Sequence, residues 1–456
     1  MIKLRNYQTE AVDNFKNNGF NGLFEMATGT GKTITSLACA NEHYLKNGKQ
    51  FLVIIVPFLH LIDQWVDDFG LFDIKNYHVI AYAKKKWLPN IESLIWDYNN
   101  GFRNRVVLIG SYKSIADKDF LGAISKIKKS GCVLADECHY LGSESISLSE
   151  FSGFDARIGL SATPQRWWDD EGTSKIERFF DKTVFQFTLS QAIREGYLTN
   201  YRYHPIQVQL TLEEIEEYER LTFRIAVLYN KKNKTIAEKE QLEKLLLNRT
   251  KIIKSAANKK EILIKMLRQT KEIHHAIVYC AEGEVDFVVN AIAELGIRVH
   301  RFNSEIPNKE RSGILKRFDE GNIQILVAIK CLDEGVDIPA TQTAYFLAST
   351  SNPKEFIQRR GRILRKYKGK IFAEVYDFIV LPSSADNQVF RSIAVKEMPR
   401  FAEFSSGAIN SYESKQTIME LLEKHNLEHL TEIKPWDVYK NMRNEDENEY
   451  STGYTM

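Results

Sequence analysis

Cysteine is scarce in this chain: five in 456 residues, at positions 39, 132, 138, 280 and 331, with no CxxC pair. That excludes a disulfide framework or a structural zinc site and points to a reducing cytosol. Each thiol is expected as a small buried hydrophobe. Long apolar runs are missing too. The longest, Phe51 to Leu59, contains Pro57 and falls far short of the ~20 residues that span a bilayer. The opening residues, Met1 to Phe15, lack the apolar core of a signal peptide and the Arg/Ser bias of a transit peptide. No membrane partner and a cytoplasmic location are therefore expected. Finally, no charge of one sign dominates. Lys plus Arg is 62 against Asp plus Glu at 60, a formal net charge of +2. This does not exclude a nucleic-acid partner, because a whole-chain sum hides local patches.

What is present is alternation. Strand-like runs at Gly22–Glu25, Phe51–Val56, His78–Ala81, Arg105–Gly110, Cys132–Ala135 and Arg157–Leu160 are separated by helical patterns such as Lys32–Lys46 and Leu59–Phe69. Several runs are continuously apolar, as buried parallel strands are. The style returns at Ala276–Cys280, Arg298–Asn303, Gln324–Ala328, Ala344–Ala348 and Ala373–Phe378. The fold class is α/β, with two tandem domains built on parallel sheets. Expected boundaries are 1–200 for the first domain, 201–271 for a linker and inserted helical arm, 272–381 for the second domain, and 382–456 for a short helical tail with a disordered end.

The arm is charged in blocks. It opens acidic at Glu213, Glu214, Glu216, Glu217 and Glu219; residues 231–271 then hold eleven Lys and two Arg against four Glu, a net +9. Such a run is a solvated helix face or a phosphate-facing surface, and the one-sign excess leaves both open. Residues 419–456 carry nine acidic and four basic side chains, a net −5.

The strongest single signal is Met26-Ala-Thr-Gly-Thr-Gly-Lys-Thr33, between a strand and a helix. This is the setting of a phosphate-binding loop, although Met26 stands where the strict pattern has Gly. Gly29 and Gly31 allow the tight turn that aims successive N–H groups, including those of Thr28 and Thr30, at phosphates. The helix N-terminus adds its positive dipole end. Lys32 can reach the β- and γ-phosphates and Thr33 can hold Mg²⁺. Downstream, the apolar strand of Val133-Leu-Ala-Asp-Glu-Cys-His139 ends in adjacent carboxylates. Asp136 is placed to hold Mg²⁺, and Glu137 to polarise the attacking water. Phosphoryl transfer needs little more than positioned metal, water and positive charge.

With these two elements in place, the chain resembles the superfamily 2 helicases and translocases from about residue 2 to residue 380. Leu4-Arg-Asn-Tyr-Gln8 resembles their adenine-reading segment, with Gln8 as the reader. Val56-Pro-Phe-Leu-His-Leu-Ile-Asp-Gln-Trp65 and Gly110-Ser-Tyr-Lys-Ser114 resemble motifs Ia and Ib, so Pro57, Gln64, Ser111 and Tyr112 are expected to touch nucleic acid. Asp136-Glu-Cys-His139 is the DExH box. Ser161-Ala-Thr163 resembles motif III, and with His139 it is expected to couple the ATP site to strand binding. Ile277-Val-Tyr-Cys280 resembles motif IV. Val327-Ala-Ile-Lys-Cys-Leu-Asp-Glu-Gly-Val-Asp-Ile-Pro339 resembles motif V, with Gly335 and Asp337 near the strand and the ribose. Gln358-Arg-Arg-Gly-Arg-Ile-Leu-Arg365 resembles motif VI, with Arg362 and Arg365 as arginine fingers. The resemblance implies two RecA-like domains that clamp ATP and Mg²⁺ in a cleft, with catalysis by Lys32, Asp136, Glu137, Arg362 and Arg365.

Leu4-Arg-x-Tyr-Gln, Val-Pro-x5-Asp-Gln-Trp and Leu160-Ser-Ala-Thr-Pro are similar to restriction-enzyme Res motor subunits and nucleotide-excision-repair DExH helicases. Gly196-Tyr-Leu-Thr-Asn-Tyr-Arg-Tyr203, Asn248-Arg-Thr-Lys-Ile-Ile-Lys254 and Arg400-Phe-Ala-Glu-Phe404 are similar to bacterial defence helicases, including those of phosphorothioation-dependent restriction. The resemblance implies an ATP-dependent DNA helicase or duplex translocase, moving 3′ to 5′ on duplex or forked DNA through phosphate contacts, as the motor of a restriction or antiviral defence system. Alternatives are a solitary repair or fork-remodelling helicase, and an ATPase switch that does not step. Tyr201, Tyr203, Trp167 and Trp168 stack on bases or pack internally. Lys251, Lys254, Lys259 and Lys260 are candidate DNA contacts on the arm. Residues 381–456 carry no recognisable catalytic pattern, so any nuclease is expected in another defence subunit.

Overall fold

Strands of three to nine residues, most of them separated by helical segments, fold here into two parallel sheets. The computed structural model describes all residues other than 1, 82–83, 144–145, 147, 166–168, 232, 304, 330–337, 349–351, 434 and 436–456, and other than the side chains of 308–309. The chain divides into two compact units, Met1–Leu198 and Thr199–Met456.

The first unit contains strands β1 (Asn21–Met26), β2 (Gln50–Val56), β3 (His78–Ile80), β4 (Arg105–Ser111), β5 (Gly131–Ala135), β6 (Phe154–Ser161) and β7 (Thr183–Phe187). They form one sheet in the order β3-β4-β2-β5-β6-β1-β7, with every neighbouring pair parallel. All seven residues of β2 are buried. Phe51, Val53 and Ile55 join a cluster with the helix Lys84–Asn99 through Trp87, Ile91 and Leu94. Leu52, Ile54 and Val56, equally buried, point to the opposite face by the two-residue period. A strand buried on both faces draws on ~1.5–3 kcal/mol for each large apolar side chain.

This strand order positions the site. β4, β2, β5, β6 and β1 are consecutive neighbours in the sheet. Every motif loop of the first unit leaves the carboxyl end of one of these five strands, which is where ligands bind on parallel α/β sheets.

The second unit contains β8 (Asn200–Val208), β9 (Ala276–Tyr279), β10 (Val299–Phe302), β11 (Ile325–Ala328), β12 (Thr343–Phe346) and β13 (Phe372–Val380). The order is β10-β11-β9-β12-β13-β8, again all parallel. β7 and β8 were not expected. Both are edge strands with broken burial patterns. The stretch expected as linker after residue 200 is instead β8, paired with β13 over nine residues. Its Tyr201 and Tyr203 are fully buried. The Tyr201 hydroxyl donates to the Phe404 carbonyl (2.6 Å) and the Tyr203 hydroxyl to Asp377 (3.0 Å), so neither is a base-stacking surface. Trp167 and Trp168 lie outside the described residues.

The helices Leu212–Tyr229 and Ile236–Lys254 pack as a hairpin on Leu221, Ile225 and Leu245. Thr211 with Glu214, and Thr235 with Glu238, form reciprocal caps that start both helices. The tail packs onto the second unit: the helix Asn387–Ser406 buries Phe390, Ile393, Met398, Phe401 and Phe404. Among the described residues no helix is long and apolar enough to cross a membrane.

Candidate active site

The phosphate loop runs from the end of β1 into the helix Lys32–Asn47. Gly29 and Gly31 have φ of 81° and 80°, a region that L side chains rarely adopt. A Cβ on Gly31 would also approach the Gln8 amide nitrogen to 2.9 Å. Two side chains of the first helix, Asn6–Asn17, hold this loop from below. The Tyr7 hydroxyl donates to the Thr30 carbonyl, and Gln8 Nε2 donates to the Gly31 carbonyl at 3.4 Å. Gln8 Oε1 accepts from the Arg5 N–H at 3.0 Å, and Tyr7 stacks on Phe187 with ring centroids 4.1 Å apart. Gln8 is thus buried with both amide ends engaged, one of them on the loop itself. The roles of Tyr7 and Arg5 here were not legible in the sequence.

Lys32 Nζ stands 3.4 Å from Glu137 Oε1. β5 ends at Ala135, and the Asp136 N–H makes a last ladder bond to the Ile55 carbonyl (2.8 Å). The chain then turns through Glu137 at φ 47°, ψ 53°, left-handed and non-glycine. Its N–H donates to Asp136 Oδ1 at 3.0 Å. The Asp136 carboxyl is pushed up to about 6, by burial first and then by the charge of Glu137. Lys32, the Glu137 N–H and the Trp65 side chain pull the other way. His139 is buried, with Nδ1 3.5 Å from Glu137 Oε2. At the end of β6 the Ser161 hydroxyl accepts from the Thr163 N–H at 3.1 Å.

The loop also holds an unsatisfied oxygen. Thr28 Oγ1 in the loop is buried and has no hydrogen-bond partner. A buried hydroxyl left so is costly unless a ligand pairs it. Lys32, facing the carboxylates, and Thr33 beside it at the helix start are the residue types that a nucleotide phosphate with Mg²⁺ requires.

Of the residues expected on nucleic acid, Gln64 is exposed and Pro57 half-buried. Ser111 is buried and caps the helix Tyr112–Ile115. Tyr112 points inward, its hydroxyl donating to the Asp136 carbonyl at 2.6 Å. In the second unit, the helix Pro353–Ile363 carries motif VI. Arg360 is committed to Glu403 (2.5 Å) and the Tyr201 hydroxyl (3.2 Å). Arg362 and Arg365 follow on the same element and just beyond it. Lys370, buried, donates to the carbonyls of Ile363, Arg365 (3.2 Å) and Pro339 (3.5 Å). Lys370 was not foreseen; an isolated Lys in a basic stretch gives no signal. Gly335 and Asp337 lie outside the described residues.

On the arm, Lys259 is buried and donates to the Ile253 carbonyl (2.7 Å), and Lys260 pairs with Glu284. Neither is an exposed DNA contact as expected. Lys251 is exposed.

Residues 1–166 match the family model for the Res subunit of type III restriction enzymes, and residues 258–367 match the helicase conserved C-terminal domain. The chain belongs to superfamily 2 of the helicases. It is an ATP-hydrolysing enzyme of the branch related to restriction Res subunits. This superfamily 2 helicase is 24% identical over 381 residues to the DNA 3′-5′ translocase XPB2 of Sulfurisphaera tokodaii, covering 80% of this chain and 79% of the relative. Its fold resembles the DNA-bound type ISP restriction-modification enzyme LlaBIII, with TM-score 0.60 and 17% identity over 94% of this chain. It spans only 33% of that much longer chain. The Pyrococcus furiosus Hef helicase domain gives TM-score 0.53 and 18% identity, over 83% of this chain and 95% of that one.

Proposed function

We propose that this helicase is an ATP-driven DNA motor, stepping along duplex or forked DNA as part of a bacterial or phage restriction or antiviral defence system. The observation that carries the motor reading is the approach of Lys32 to Glu137, 3.4 Å apart at the mouth of the phosphate loop with Asp136 beside them. The Res-type first domain and the similarity to a protein named as a DNA translocase support DNA as the track.

In this account Lys32 and the loop N–H groups of Thr28 to Thr33 bind the β- and γ-phosphates. Thr33 and Asp136 hold Mg²⁺, which when bound neutralises charge on the transferring phosphoryl group. Glu137 accepts a hydrogen bond from the attacking water and orients it. Gln8 and Tyr7 keep the loop carbonyls of Gly31 and Thr30 turned away from the phosphates, so the N–H groups face them. Arg362 and Arg365 of the second unit complete the charge, a contribution of ~10³–10⁵ in rate where arginine fingers act. His139, Ser161 and Thr163 transmit the state of the nucleotide to the strand-facing loops. A nuclease, if the system cuts DNA, is another subunit.

The test is ATP turnover by the purified chain with no nucleic acid, with RNA, and with tailed, forked and blunt DNA. Stimulation greatest on DNA is expected; greatest stimulation by RNA contradicts the choice of track. Growth protection against phage in a host carrying the gene and its neighbours tests the defence role. Protection against DNA damage without protection against phage would favour repair.

A further inference from the structure

We infer that Tyr112, with Trp65, is a positioning pair that ties the acid Asp136 to the two segments expected to face the strand. Strand binding would then set the rate of ATP hydrolysis through these two side chains. The inference rests on the motor reading and adds a regulatory connection to it.

The geometry begins with the sheet. β2 lies between β4 and β5, so the segments leaving β2 and β4 emerge on the same side of the acid-bearing end of β5. Each sends one buried side chain to Asp136. Tyr112, directly after β4, is 7% exposed and donates its hydroxyl to the Asp136 carbonyl at 2.6 Å. Trp65, on the helix Ile62–Phe69 after β2, is 3% exposed, with its indole beside the Asp136 carboxyl. The same two segments also reach the other end of the DExH box. The Tyr112 ring lies 5.3 Å from that of Tyr140, which lies 4.4 Å from His139. Phe58 meets Tyr140 edge-on at 6.4 Å and stacks on His60 at 5.7 Å.

The carbonyl that Tyr112 holds belongs to the peptide joining Asp136 to Glu137. It lies past the last ladder bond, beside a residue in the left-handed region. Such a conformation is uncommon for a non-glycine residue and persists where neighbours impose it. Fixing that peptide plane fixes the directions of both carboxylates. An ångström of error in a reacting group costs ~10²-fold in rate. Movement of Ser111–Tyr112 or Phe58–Trp65 on a strand therefore reaches the site through a hydroxyl, an indole and a ring contact.

The experiment uses the full chain. Tyr112→Phe keeps the ring and removes the hydroxyl; Trp65→Phe removes the indole N–H. ATPase kcat and KM are measured with and without saturating duplex DNA, together with DNA affinity and the thermal midpoint. Expected for Tyr112→Phe is a fall of about tenfold or more in DNA-stimulated kcat, as a misplaced group produces. KM for ATP, DNA affinity and the midpoint should stay close to wild type. Trp65→Phe should act in the same direction. Full stimulation in both variants overturns the inference alone. DNA affinity lost with kcat retained also overturns it, because Tyr112 would then touch the strand. A wild-type enzyme that no DNA stimulates overturns the motor reading, and the inference with it.

Discussion

The ammonium of Lys32 and a carboxylate oxygen of Glu137 meet at 3.4 Å although 105 residues separate them in the chain. β1 and β5 bring them together from either side of β6. Each partly satisfies the other, with side chains only 12% and 16% exposed. A phosphate entering the loop competes for Lys32 and releases Glu137 toward water. Glu137→Gln is therefore expected to bind ATP normally and to lower kcat by ~10²–10⁴-fold, the range of general-base loss. Nucleotide binding by fluorescence and phosphate release checks this; a variant with normal turnover contradicts the assignment.

The Gln8 amide offers a second test. The resemblance makes it an adenine reader, yet its oxygen accepts from the Arg5 N–H and its nitrogen donates to Gly31. If its work is to hold the loop, Gln8→Ala should raise KM for ATP and GTP by similar factors, about five- to tenfold for a lost hydrogen bond. An increase confined to ATP would show adenine recognition instead.

Lys370 gathers three carbonyls at the end of the motif VI helix, two of them from Ile363 and Arg365. Lys370→Met fills the space and removes the ammonium donor from the Ile363 and Pro339 carbonyls, while the Arg365 carbonyl keeps the Thr199 hydroxyl at 3.4 Å. The expected result is a stability loss of ~1–3 kcal/mol and a lower kcat with unchanged ATP affinity. An unaltered kcat would separate this clamp from the arginine fingers.

Lys259 predicts a pH effect. Burial is the main cause that holds its ammonium down to about 8, against partial support from the Glu397, Asp377 and Glu284 carboxylates; Arg400 adds to the lowering. In the unfolded chain it titrates near 10.4. Between about 8 and 10.4 the unfolded state binds the extra proton, so this group makes unfolding free energy rise with pH, by at most ~1.4 kcal/mol per unit. Lys259→Met should remove that component of the slope in denaturant melts at pH 8 to 10. An identical slope in wild type and variant contradicts it.

Much of the first unit was legible because its signals are local. A wholly apolar run such as β2, or glycines before Lys32, needs no partner to be recognised. β7 and β8 escaped because edge strands show broken patterns: Thr183–Phe187 mixes exposed and buried positions, and β8 carries Pro205. Lys259 read as a candidate DNA contact on a basic arm. It is buried within the field of Glu397, Arg400 and Asp377, more than a hundred residues away in the chain, which no local charge count can show. The inward turn of Tyr112 had the same origin. Its partner is a backbone carbonyl, which has no signature in the side-chain sequence.

The most direct test of the motor account is displacement of a triplex-forming oligonucleotide from duplex DNA by the purified chain, with ATP, without ATP, and with Glu137→Gln. The account predicts ATP-dependent displacement by wild type and none by the variant. ATP hydrolysis stimulated by the same duplex, but with the third strand left in place, would contradict stepping and leave a switch.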